Sequence, residues 1–151
     1  MKRINEYKKL FKVEKNIELK ELKASYRNLV KEWHPDKFAD EDERREEAEV
    51  MSRKIIDGYH FLVSIAPETL AANQKDYNKT ISEAGIADFQ HKGNVLEIYF
   101  TDGTTYEYFG VNKALFIKFI NSDKRVRFAK RNFFNSLVYR KSKRDLELQE
   151  A

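Results

Sequence analysis

The sequence contains no cysteine. That excludes disulfides, thiolate zinc sites and cysteine nucleophiles together. Its three histidines, His34, His60 and His91, fall in three different elements with no ligand spacing between them, so no metal site is expected. Five glycines leave little room for a phosphate-cradling loop. No run of about 18 apolar residues occurs, so no transmembrane helix is expected. The start, Met1-Lys2-Arg3-Ile4-Asn5-Glu6, turns polar too early for a signal peptide. Together these gaps point away from an enzyme and from any cofactor, and toward a soluble, cytoplasmic protein.

What is present is segregated charge. Residues 1–38 carry 11 Lys/Arg against 6 Asp/Glu, residues 39–111 carry 7 against 15, and residues 112–144 carry 11 against Asp123 alone. Solvated faces cluster charge to some extent. So strong an excess over one short stretch points further, to an anionic partner.

There are only two prolines, and both act as punctuation. Leu19, Leu22, Tyr26, Leu29 and Trp33 recur at helical spacing and form one apolar stripe. Lys20, Lys23, Arg27 and Lys31 form a second stripe beside it, roughly 100–130° around the helix. Pro35 must end this helix, because proline is excluded from a helix interior and pushes His34 out of the helical region. The acidic run Asp40-Glu41-Asp42-Glu43 suits a new helix N-terminus. Ala48, Met51, Ile55, Tyr59 and Leu62 then make a matching stripe, so the two helices should pack as an antiparallel hairpin. Pro67 ends the pair and opens a short helix through Ala72.

Residues 5–78 resemble the J domain of DnaJ-type co-chaperones. The resemblance rests on Tyr7 and Leu10, on Leu22 to Trp33, on the His34-Pro35-Asp36-Lys37 loop, and on Ala48, Ile55, Tyr59 and Leu62. It implies docking on a DnaK-type ATPase chaperone and stimulation of its ATP hydrolysis. His34, Pro35 and Asp36 match the stimulating loop, and Lys23, Tyr26, Arg27 and Lys31 match the docking positions. Three positions depart from the usual pattern: Glu32 replaces a basic residue, Ser52 an aromatic, and Gly58 a small alanine. Glu18 is a poor N-cap for the second helix.

The polar stretch Asn73–Glu83 places a domain boundary near Lys79, giving residues 1–78 and 79–144, with 145–151 as a disordered tail. From Ile86 the apolar period shortens to two. Ile86 to Gln90 reads as a strand, His91 to Asn94 as a turn, and Val95 to Thr101 as a second strand. Asp102-Gly103 then signals a two-residue hairpin loop leading into a third strand, Thr104 to Val111. That loop would pair Tyr99 with Tyr106 and Glu97 with Tyr108. Tyr99, Tyr106 and Tyr108 would share one face, opposite Leu96, Ile98, Phe100 and Phe109. Glu107 would fall on the apolar face, a conflict that a bulge would resolve.

Asn112 suits the cap of a helix with Leu115, Phe116, Phe119 and Ile120 on one stripe. A second helix should run from Val126 to Val138, with Lys124, Arg125, Arg127, Lys130 and Arg131 around it. The basic end from Arg140 to Arg144 should fray. The fold class is therefore α+β: an all-α helical hairpin, then a three-stranded antiparallel sheet with two helices.

This second half resembles the KTSC domain, through Val95 to Val111 and above all Tyr106-Glu107-Tyr108. RNA binding has been suggested for that family. It would fit tyrosines free to stack bases beside the cations Arg125, Arg127, Lys130 and Arg131. The alternative is that the tyrosines pack under the two helices. The choice depends on which sheet face the helices cover. The functional expectation is a co-chaperone whose C-terminal module targets it, with RNA or another polyanion as a second partner. The competing expectation is a nucleic-acid adaptor whose J-like half only docks proteins.

Overall fold

The computed structural model describes residues 2–14, 16–39 and 43–142. The chain divides into two compact units, Lys2–Ala71 and Ala72 onward.

The first unit is all α. Helix α1 spans Lys2–Leu10, α2 Leu19–Trp33, α3 Glu43–Ile65 and α4 Pro67–Ala72, with a 3-10 turn at Pro35–Lys37. The acidic run 40–42 lies outside the described residues. The α2–α3 hairpin follows from the paired stripes: Leu22, Ala48, Ile55 and Leu62 are all buried. Burial of the Leu and Ile side chains contributes roughly 1.5–3 kcal/mol each. Glu18 makes no side-chain cap to α2, in line with its chemistry. Gly58 has a packing reason. A Cβ there would lie 2.8 Å from Tyr7 Cδ1 and 3.0 Å from Phe11 Cε2, so the rings of α1 and the following turn rest on the backbone of α3.

The second unit is α+β. Helix α5 spans Gln74–Glu83, β1 Ile86–Lys92, β2 Val95–Phe100, β3 Thr105–Phe109, α6 Lys113–Ile120, α7 Arg125–Ala129 and β4 Tyr139–Lys141. A π turn, Lys130–Phe134, follows α7. The sheet is antiparallel with order β1-β2-β3-β4.

Four features differ from the sequence expectation. The first is α5, a helix in the stretch read as a polar boundary. It belongs to the second unit, where Tyr77 and Ile81 enter the core. The two compact units divide at Ala71/Ala72. The second is the fourth strand. Tyr139 to Lys141 pair with Tyr108 to Tyr106, and Arg140 is buried rather than frayed, its Nη2 donating to Glu107 Oε1 at 3.2 Å. The tail 145–151 lies outside the described residues. The third is the helix expected from Val126 to Val138, which stops at Phe134 in the π turn.

The fourth is the hairpin register. Phe100 N–H donates to Thr104 O at 2.9 Å, and Gly103 N–H donates to Phe100 O at 3.0 Å. The loop is therefore three residues, Thr101-Asp102-Gly103, with Gly103 at φ +89. Three-residue loops end on a residue in the left-handed region that bulges the ladder, which glycine adopts without a steric penalty. The extra residue moves every β3 side chain to the other face. Ile98 pairs with Tyr106 and Leu96 with Tyr108, while Glu97 pairs with Glu107. Glu107 leaves the apolar face, and two tyrosines enter it.

That face is the core of the unit. Leu96, Ile98, Phe100, Tyr106 and Tyr108 pack against Tyr77, Phe119, Ala129, Phe133 and Phe134. The cap of α6 is as expected, Asn112 Oδ1 accepting from Leu115 N–H at 2.8 Å.

Candidate functional site

In the first unit, the chain leaves α2 at His34, whose backbone is extended at φ −60 and ψ 127. Pro35 opens the 3-10 turn, where its missing N–H has no consequence. The Asp36 N–H donates to His34 Nδ1 at 3.2 Å. A histidine accepting at Nδ1 carries its proton on Nε2, so the ring offers a donor on its far side. His34 Nδ1 also lies 3.6 Å from Asp36 Oδ2, with the two side chains 50% and 83% exposed. Donor and carboxylate are thus both open to a partner.

Both ends of this loop are tied to α3. Ser52 Oγ donates to the Trp33 carbonyl at 3.0 Å, satisfying an acceptor left over at the end of α2. Arg45 Nη1 donates to the Phe38 carbonyl at 3.0 Å, and the Arg44 guanidinium lies 5.5 Å from the Phe38 ring centre. Ser52 and Arg45 do not emerge from stripe analysis, because each acts on a main-chain oxygen. The departure at Ser52 from the usual aromatic was the available signal.

Lys23, Arg27 and Lys31 are exposed along α2. Tyr26, among them, is half-buried, its ring stacked on Tyr59 at 4.2 Å and 21°. One face of the ring is therefore taken up by Tyr59.

In the second unit, the residues read as a nucleic-acid surface divide. Arg125, Arg127, Lys130 and Arg131 are exposed. Arg125, Arg127 and Lys130 share one groove with Lys124, beside β1, and Arg131 does not line it. Tyr106 and Tyr108 are only 3% and 0% exposed, so the free stacking face is corrected to a core face. The helices do cover the Leu96 side, but the register puts these tyrosines on that side too. Tyr99 lies half-buried on the other face, its hydroxyl donating to Gln90 Oε1 at 3.4 Å.

The tyrosine cluster is a locking device. Tyr77 Oη donates to the Phe134 carbonyl at 2.8 Å and lies 3.0 Å from Tyr108 Oη. Its ring stacks on Tyr139 at 3.9 Å and 11°. Burial pushes the Tyr77 and Tyr108 hydroxyls well above the usual phenol range, so both stay neutral. Near the hairpin loop, Asp102 Oδ2 accepts from Thr80 Oγ1 at 2.7 Å, and Oδ1 accepts from Thr104 N–H at 2.9 Å and Thr104 Oγ1 at 2.6 Å. Desolvation works to raise this carboxyl, but the bonds from Thr104 and Thr80 outweigh it and hold it below the usual range. Tyr77, Thr80 and Ile81 stand at helical spacing, a signal masked by the polar residues around them.

Among the described residues, no group of three or more His, Asp and Glu is arranged to hold a metal ion, and no helix is long and apolar enough to cross a membrane.

Comparison with known proteins divides the chain in the same order. Residues 6–67 match the DnaJ domain and residues 82–139 the KTSC domain. Two curated relatives, each a chaperone protein DnaJ from Anaplasma marginale (strains Florida and St. Maries), are 32% identical over 85 residues. That alignment covers 56% of this chain but 21% of theirs, so the chain spans only a minor part of those relatives. No solved structure matches. A match to the DnaJ domain is thus followed by a match to the KTSC domain, with the histidine loop inside the first and the basic groove inside the second.

Proposed function

We propose that this protein is a co-chaperone that docks on a DnaK-type ATPase chaperone and stimulates its ATP hydrolysis. The observation that carries the reading is the exposed His34-Pro35-Asp36 loop, anchored at Trp33 and Phe38 to α3. Anchoring at both ends limits the ordering entropy that binding would otherwise cost. Lys23, Arg27 and Lys31 supply a cationic approach face, which favours fast encounter with an acidic surface. The catalytic step belongs to the partner; this chain contributes contacts only. The KTSC unit would select where the activity is used.

The test is the steady-state ATPase rate of a DnaK-type chaperone with this protein and with His34→Gln. The intact chain should raise the rate several-fold, and the variant should leave it at the basal level. An intact chain that gives no stimulation would sink the reading. Replacing Lys23 and Arg27 by alanine should raise the concentration needed for half-maximal stimulation, more so at low salt.

A second reading, a nucleic-acid adaptor, is supported by the exposed Arg125, Arg127, Lys130 and Arg131. Its binding would rest on phosphate contacts and fall steeply with salt. Absence of RNA or DNA binding at low salt would rule it out.

A further inference from the structure

Strand β1 is an edge strand, hydrogen-bonded to β2 on one side only. Beside it runs a groove of about 1020 Å³. One wall is the consecutive run Ile86, Ala87, Asp88 and Phe89, and the other comes from residues 122–127 and Lys130. Successive strand side chains point to opposite faces. The bulge between Ile86 and Asp88 breaks that alternation at Ala87, and the Phe89 N–H, turned away from β2, places the strand's free main-chain edge at the groove.

The far wall carries Lys124, Arg125, Arg127 and Lys130, against Asp88 and Asp123 as the acids in the lining. Among the described residues, Lys124, Arg127 and Lys130 form no ion pair. Arg125 is held, its guanidinium 5.5 Å from the Phe89 ring centre and donating to the Ile120 carbonyl at 3.1 Å. The Phe89 N–H donates to Asp88 Oδ1 at 2.8 Å in an exposed hydrogen bond. An incoming acceptor can replace that carboxylate.

We propose that this groove binds an extended acidic segment of a partner protein, added to the sheet as a strand beside β1. Main-chain bonds to the edge would give affinity, and alternate carboxylates facing Lys124, Arg127 and Lys130 would give selectivity. A single-stranded nucleic acid fits less well. The ring in the groove, Phe89, is half-buried, makes edge contacts with Phe116 and Phe119 and has Arg125 over one face, which leaves a base little ring surface to stack on. The bulge between Ile86 and Asp88, with Asp88 itself, blunts the edge against indiscriminate pairing.

The test uses the full chain and a fluorescent peptide with three Glu-Val repeats, at low salt. Binding should be saturable, and the Lys-Val counterpart should not bind. R127E/K130E should weaken it tenfold or more, with far-UV circular dichroism confirming the fold. K113E/K118E makes the same charge change at exposed sites outside the groove and should leave affinity unaltered. A Glu-Val peptide N-methylated at alternate residues keeps its charge but loses strand donors, and should also bind tenfold worse. Any of four results overturns the proposal: no binding of the Glu-Val peptide, equal loss in both charge variants, undiminished binding of the methylated peptide, or tighter binding of an oligouridine at the same groove. H34Q should bind the peptide normally, so this result is separable from the ATPase test.

Discussion

The two units use their aromatic and charged residues in opposite ways. In the J unit, the residues with chemistry to offer lie on the surface, and the frame beneath them is apolar, with Leu22, Ile55 and Leu62 beside the rings of Phe11 and Phe61. In the KTSC unit, two of the tyrosines that looked available, Tyr106 and Tyr108, form the interior, and the cations stay on the surface. A helix face is set by a 100° step, so one misplaced residue blurs a stripe without inverting it. A strand face is set by parity, so one loop residue inverts it completely.

The largest effect that tests this contrast is at Tyr77. Tyr77→Ala should destabilise the KTSC unit by about 3–5 kcal/mol, the usual range for truncating a buried aromatic. Hydrogen exchange at β2 amides should report it. The one tryptophan, Trp33, lies in the other unit, and its fluorescence should unfold at an unchanged midpoint. Unchanged β2 protection would break the contrast, since α5 would then be a decoration rather than part of the core.

Gly58→Ala comes next. Helix propensity alone predicts a gain of up to about 1 kcal/mol. The contact at 2.8 Å with Tyr7 predicts instead a net loss of about 1–3 kcal/mol, as overpacking does. The Trp33 midpoint in denaturant decides the sign. Ser52→Ala is smaller, about 1 kcal/mol, because one hydrogen bond to the Trp33 carbonyl is lost. Its effect on ATPase stimulation should exceed its effect on stability, since the loop loses an anchor. Equal effects would make Ser52 merely structural.

The smallest expected effect is with pH. Asp102 has its carboxyl pKa lowered in the folded state. Its contribution is thus present above the unfolded value and fades as pH falls through the folded one. Asp102→Asn should flatten the acid limb of KTSC-unit stability slightly, and an unaltered limb would remove Asp102 from the account.

Much of the J unit was legible in the sequence, because its stripes, proline stop and loop are local signals. The loop's anchors were not, since Ser52 and Arg45 reach carbonyls and no residue-type pattern marks a carbonyl. In the KTSC half, strand positions were legible and pairing was not. Asp102-Gly103 suits both two- and three-residue loops, and only the Glu107 conflict hinted at the longer one. Tyr139 to Lys141 were hidden because three residues are too few to show a period. Helix α5 was hidden because its apolar side is only four residues long.

Gly58 has a further consequence for how this chain can change over generations. The hollow at its Cα is filled by rings from Tyr7 and Phe11, so the three positions form one inherited unit. Alanine at 58 should become harmless only after position 7 has shrunk, and a smaller residue at 7 should be harmful until 58 has grown. Each single step is downhill while the pair is near neutral. Descendants of this chain should therefore keep both or exchange both.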